Sequence, residues 1–273
     1  MNNILNLYNI ELKRIYKLYL GLLGFLLVGN IALVSNSINK IISQIASQTN
    51  SKKSIGLMKL KEAKFILYEH GLSNLYNDTT LLLGLVVILC LIYGLVIWYR
   101  DFIGRNKTGY TLFMLPQNKF NIYIAKAITL VIMIYGVMIT QMLVWIIDIS
   151  IIKVIANINN QDYMSFLDIF TTQNSMINLI QPYFIDFIMI NVIGVILAVV
   201  VIFTGVMIQK SFKIPGVILG CLYIFGSIFL YGYVTSIANY QDQRLMIHAI
   251  YYIILFVISV GLSYTLLNKK VYV

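Results

Sequence analysis

The chain has 273 residues, 60% of them hydrophobic and 11% charged, with a formal net charge of +10. Soluble domains run to about 45–50% apolar and about 25% charged residues, so these proportions exclude a soluble globular fold and predict an all-α integral membrane protein. Net positive charge would point to nucleic acid in a soluble chain, but in a membrane chain its distribution reports orientation, and no nucleic-acid partner is expected.

In chain order, residues 4–17 gather Ile4, Leu5, Tyr8, Leu12, Ile15 and Tyr16 on one side of a helix and Asn6, Asn9, Lys13, Arg14 and Lys17 on the other, with Leu7 and Ile10 off the pattern. This predicts an amphipathic helix lying in the membrane interface. Six spans follow at about 20 residues each, over 18–38, 81–99, 122–147, 183–208, 214–234 and 247–267, all within a single transmembrane domain, 1–273. The apolar core of the first is longer than the ~7–15 residues of a signal peptide, and Glu11 precedes it, so it is expected to be retained. Residues 39–78 read as a polar outward loop with at most one helical piece, and 149–182 as a mixed segment too interrupted to span. Only a short turn separates the fourth and fifth spans, which predicts antiparallel neighbours.

The stretch RDFIGRNKTGYTLFMLPQNKFNIYIAK, residues 100–126, lies between the second and third spans and carries Arg100, Arg105, Lys107, Lys119 and Lys126 against one acid, Asp101. Water is expected around most of it. Within it, Tyr110, Thr111, Leu112, Phe113, Met114 and Leu115 stand between Gly109 and Pro116, which predicts a brief helix too short to span and shaped to dock. The run from Thr108 through Pro116, followed by Lys119, Ile122 and Lys126, resembles the cytoplasmic loop of exporter-type ATP-binding-cassette (ABC) permeases. There a Gly-Thr turn, a short apolar coupling helix ending in Leu-Pro, a basic residue three positions later and a Lys at the start of the next span recur. Lys119 stands where that family usually carries Arg, and Asp101 is the one candidate for the acid usual before the glycine.

The charges set an orientation. With both termini in the cytoplasm, the inner segments hold Lys13, Arg14, Lys17, Arg100, Arg105, Lys107, Lys119, Lys126, Lys210, Lys213, Lys269 and Lys270, while of the acids only Glu11 and Asp101 lie inside. Short inner loops rich in Lys and Arg are the positive-inside pattern.

Other candidates are weaker. Gly216 and Gly220 form a G-x-x-x-G pair that lets a helix approach closely; in the family that the loop resembles, the first and fifth spans line the contact between the two membrane subunits, and Gly21 and Gly24 place small residues on the first. Gln141, Asp186 and Asn191 are polar groups at span depth, and with Tyr223 and Phe229 they form a possible cargo path; the plainer expectation is that Asp148 and Asp186 sit in headgroup water and the amides tie helices together. Tyr223, Phe225, Phe229, Tyr231 and Tyr233 read as an aromatic belt. Cys90 and Cys221 lie in apolar runs and are expected to pack. His70 and His248 are the only histidines, which leaves no H-E-x-x-H metal set, and there is no G-x-S-x-G elbow or G-x-x-x-x-G-K-[ST] phosphate loop.

The resemblance implies a non-enzymatic membrane subunit of an ABC exporter in a bacterial cytoplasmic membrane. It would bind no cofactor itself, ATP and Mg belonging to a separate cytosolic ATPase that Arg105, Lys107, Tyr110, Leu112, Phe113, Leu115 and Pro116 would contact. A second copy or a related permease would complete the path through the lipid bilayer. The cargo would be amphipathic or lipid-like, a peptide such as a toxin, bacteriocin or antimicrobial peptide foremost, as in the small Gram-positive permeases that export peptides, phenol-soluble-modulin exporters among them. A polytopic membrane enzyme, or an immunity or signalling protein that binds without transport, is the alternative.

Overall fold

The structure is a computed structural model and describes residues 2–48, 61–103, 118–156, 188–236 and 241–269. These are helical almost throughout: α1 (Asn2–Gln48), α2 (Lys61–Ile103), α3 (Lys119–Ala156), a π-helical turn (Ile188–Ile193), α4 (Gly194–Ser236) and α5 (Gln241–Lys269). Six segments are long and apolar enough to cross a membrane, namely Ile4–Ile41, Asp78–Asp101, Lys119–Ile151, Ile188–Phe212, Pro215–Ser236 and Leu245–Asn268. The protein is therefore an all-helical, six-segment membrane chain. Its helices leave large apolar side chains such as Val28, Ile218 and Ile253 exposed, as a lipid-facing surface requires.

The helices are longer than expected. Residues 4–17, expected as an interfacial helix, and the first span, 18–38, lie on one uninterrupted helix, α1. No Pro or Gly occurs among residues 4–20 to break it, and the face it buries is not the expected one. Leu7, Glu11 and Ile15, spaced by four residues, are buried, while Leu5, Leu12 and Tyr16 are exposed. Leu7, which spoiled the amphipathic projection, packs on Ile122 and Ala125 of α3 with Ile4 beside it. Likewise α1 and α2 extend into the segment expected to be a polar loop, and α3 continues to Ala156.

Helical conformation runs unbroken through α4, yet the chain doubles back within it. Fifteen residues of straight helix would span about 22 Å; instead a Cβ on Gly220 would stand 2.6 Å from the carbonyl oxygen of Gly205, and one on Gly205 2.6 Å from Ile224 Cδ1. The two limbs of α4 are thus antiparallel neighbours as expected, reversing around Lys210–Pro215. Pro215, with φ already suited to a helix start, opens the second limb.

The chain divides into two compact units, one of residues 1–16, 88–134 and 183–273, the other of 17–87 and 135–182. The first holds the two limbs of α4 against α5, with Leu197, Val201 and Tyr252 at the centre of an apolar cluster. In the second, the Asn30 and Gln141 amides donate to each other, both at 3.1 Å, and Trp145 Nε1 donates to Thr79 Oγ1 at 2.7 Å.

Candidate functional site

The first unit contains a buried ionic network that no single helix could hold. α1 brings Glu11 and, one turn on, Arg14; the last turns of α2 bring Tyr93, Arg100 and Asp101; the second turn of α3 brings Lys126. Lys126 Nζ donates to Glu11 Oε1 at 2.8 Å and to Asp101 Oδ2. Arg100 donates through one nitrogen to Glu11 Oε2 at 2.5 Å and through another to the Tyr93 hydroxyl at 2.9 Å. Arg14 lies 3.6 Å from Glu11 and 3.5 Å from Asp101.

Burial decides what this arrangement means. Glu11, Asp101 and Lys126 are 4%, 3% and 1% exposed, so each charge has lost its water and depends on its partners. An ion stripped of water costs several kcal/mol unless well paired. Each of these three has at least two partners of opposite charge, while Arg14 and Arg100 remain about one-third exposed and reach outward. Two acids against three bases leave a formal surplus of one positive charge. Lys126 also lies over the Trp98 ring, 5.3 Å from its centroid, a cation–π contact. Trp98 in turn meets Phe203 edge-on at 5.6 Å, which joins the network to α4.

The network sits at both ends of the 104–117 segment: Arg100 and Asp101 close α2 just before it, and α3 resumes at Lys119 just after. A further tie holds the α4 reversal to the same end of α2, where Tyr99 donates to Gln209 and Lys210 lies 4.8 Å over the Tyr99 ring. Asp101 and Lys126 belong to the stretch expected to lie mostly in water; they are buried instead, with Glu11 supplying the second carboxylate. The signal was present as one acid in each of two otherwise basic segments.

The remaining predicted residues fall as follows. Arg105, Lys107, Tyr110, Leu112, Phe113, Leu115, Pro116 and Asp186 lie outside the described residues. Gly216 and Gly220 make their close approaches within the chain, to the backbones of Gln209 and Gly205, whereas Gly21 and Gly24 have open space where a Cβ would stand. Of the expected cargo residues, Gln141 belongs to the second unit and Asn191, Tyr223 and Phe229 to the first. Gln141 is fully buried in its pairing with Asn30 in the second unit. In the first unit the Tyr223 hydroxyl hydrogen-bonds Ser259 Oγ at 2.6 Å, Phe229 is 77% exposed, and Asn191 lies half-buried in the π-helical turn. Asp148, expected in headgroup water, is fully buried.

One feature of the first unit had no counterpart in the sequence reading. Tyr231, Tyr251 and Tyr252 line an apolar cavity of about 250 Å³ with Leu91, Val201 and Ile224. Their hydroxyls are satisfied at its edge: Tyr231 and Tyr252 bond each other at 3.1 Å, and Tyr251 donates to the Ser227 carbonyl at 2.5 Å. Of the supposed belt, Phe225, Phe229 and Tyr233 face outward and Tyr231 turns in. Among the described residues no three His, Cys, Asp or Glu side chains gather as a metal site. Comparison with family models, curated proteins and solved structures finds no match to this chain.

Proposed function

We propose that this chain is the membrane subunit of an ABC exporter, oriented with both termini in the cytoplasm of a bacterial cell, that moves an amphipathic peptide or lipid-like molecule outward with ATP hydrolysed by a separate ATPase subunit. The wording of residues 108–126 supports the family, and six membrane-length helices support a permease. The observation that carries the reading is the ionic network of Glu11, Arg100, Asp101 and Lys126. It ties the ends of α2 and α3 that flank the docking segment to each other and to α1.

A lever is useful only if its attachments are stiff. In this mechanism the apolar residues Leu112, Phe113 and Leu115, steered by Arg105 and Lys107, seat in a groove of the ATPase, and closure of its nucleotide sandwich displaces the segment. Because both flanking helices are pinned to α1, the displacement passes to three spans together and switches access as a rigid-body movement. A second copy or a related permease forms the other wall, and the open faces at Gly21 and Gly24 suit that contact.

The test is purification from the native membrane. A stable complex with an ATPase bearing a phosphate-loop motif, lost on Phe113→Asp while the chain stays monodisperse, is the expected result. A chain that purifies alone, or an association indifferent to Phe113→Asp, would refute the reading.

A further inference from the structure

The second unit holds a carboxylate for which the described residues supply no hydrogen-bond partner. Asp148 on α3 is fully buried, and neither of its oxygens has a hydrogen-bond partner. It lines a cavity of about 310 Å³ between α3 and the later part of α1: Ser35 and Asn39 of α1 are its other polar members, and Val34 and Ile38 of α1 with Ile151 of α3 supply apolar surface. Lys40, the nearest cation along α1, is exposed and does not pair with it.

A buried carboxylate without partners is expensive to maintain, and a cluster left half-satisfied is worse than an apolar wall. Its retention beside a cavity calls for a ligand that brings the missing positive charge. The lining decides the class. Hard metal ions such as calcium take six or more oxygen ligands, and this wall offers the Asp148 carboxylate, one hydroxyl and one amide. A liquid-volume share of ~30 Å³ per water makes the space roomy enough for an organic group. A primary ammonium has three donors, matching Asp148, Ser35 and Asn39, and an attached methylene stem matches the Val, Ile and Ile side chains, as lysine stems do on apolar surface.

We infer that the cavity between α1 and α3 at Asp148, Ser35 and Asn39 is a binding site for a primary alkylammonium group, the chemistry of a lysine side chain or an aliphatic amine. The inference goes beyond export and stands without it, since the site is complete within one chain and needs no ATPase.

The experiment is calorimetric titration of the purified full chain in detergent with n-butylammonium, with 1-butanol and potassium as matched controls. Saturable binding of n-butylammonium at one site per chain, with neither control binding, is expected. Asp148→Asn should weaken it at least tenfold and should melt no lower than the parent, because it removes an unpartnered charge. Ser35→Leu, at an exposed position on the cavity rim, should also weaken binding while leaving the carboxylate in place, and it serves if the Asn variant does not fold. Absence of saturable binding, binding unchanged in both variants, or equal binding of 1-butanol overturns the site. Asp148-dependent binding of potassium that excludes n-butylammonium overturns the alkylammonium class.

Discussion

Lys126 on α3 donates to Glu11 on α1 across 2.8 Å, although 115 positions separate them in the chain. With Asp101 as its second acceptor, Lys126 is the only cation of the network that is wholly shut off from water. The arrangement fixes the register of three helices at once, because a shift of one turn on any of them, about 5.4 Å, would leave a bare charge in an apolar setting. Packing of Leu7 on Ile122 and Ala125 could tolerate such a slip far better.

Replacing Lys126 with Met, similar in length and uncharged, should therefore destabilise the chain strongly. Two buried carboxylates would be left with only the one-third-exposed Arg14 and Arg100 against them, and removal of one member of a buried pair typically costs about 3–5 kcal/mol. Denaturant unfolding in detergent micelles checks the loss. The triple replacement Glu11→Gln, Asp101→Asn, Lys126→Met should recover much of it, since the uncompensated charges go together. A Lys126→Met chain as stable as the parent would show that the network is not a fastening.

Arg14 provides an internal control. It touches the same two acids at 3.5 and 3.6 Å but is one-third exposed, where solvent and salt screen the pairing. Arg14→Ala should cost no more than about 1 kcal/mol, and the cost should shrink as salt is raised, whereas the Lys126→Met penalty should persist. Melting both variants at low and high ionic strength separates the two.

Asn30 and Gln141 exchange hydrogen bonds in both directions and are fully buried, so Gln141 acts as a tie between α1 and α3. Interhelical polar contacts in membranes are worth about 0.6 kcal/mol on average and up to about 1.7. Asn30→Leu and Gln141→Leu should each lower stability on that scale or somewhat beyond, since the partner amide is stranded. The double variant should cost less than the two singles added. A thermodynamic cycle on the four proteins reads the coupling directly; additive losses would deny it.

What the sequence made legible was set by hydropathy. Long apolar runs such as 81–99 and 122–147 announce themselves in any window, and the few residues between 208 and 214 leave the chain no choice but to turn back. Helix ends and polar pairings are another matter. Residues 4–17 look interfacial because polarity in the sequence says nothing about a partner 115 positions away, and Glu11 reads as a surface acid until Lys126 and Arg100 are placed beside it. Asp148 misled in the same way: an acid at the end of an apolar run ordinarily marks the water boundary, but α3 continues past it to Ala156. At Gly216 and Gly220 of the G-x-x-x-G pattern the approaching backbone belongs to the same chain, which pattern alone cannot say.

That last point yields a contrast between glycines. At Gly220 an added Cβ would meet the Gly205 carbonyl oxygen at 2.6 Å, and at Gly216 the Gln209 carbonyl oxygen at 2.5 Å. Both obstacles are backbone, which cannot rotate aside as a side-chain tip can. Gly220→Ala should force the two limbs of α4 apart and cost about 1–3 kcal/mol, the usual range for overpacking. Gly21 and Gly24 have nothing within 4 Å of the same point, and Ala is a better helix former than Gly by about 1 kcal/mol, so Gly24→Ala should leave the monomer as stable or more so. Thermal melting paired with light scattering distinguishes the roles. If Gly24→Ala leaves stability intact but lowers association between chains, the first span is the contact proposed for the second permease subunit; if Gly220→Ala melts with the parent, the α4 hairpin is looser than its backbone distances require.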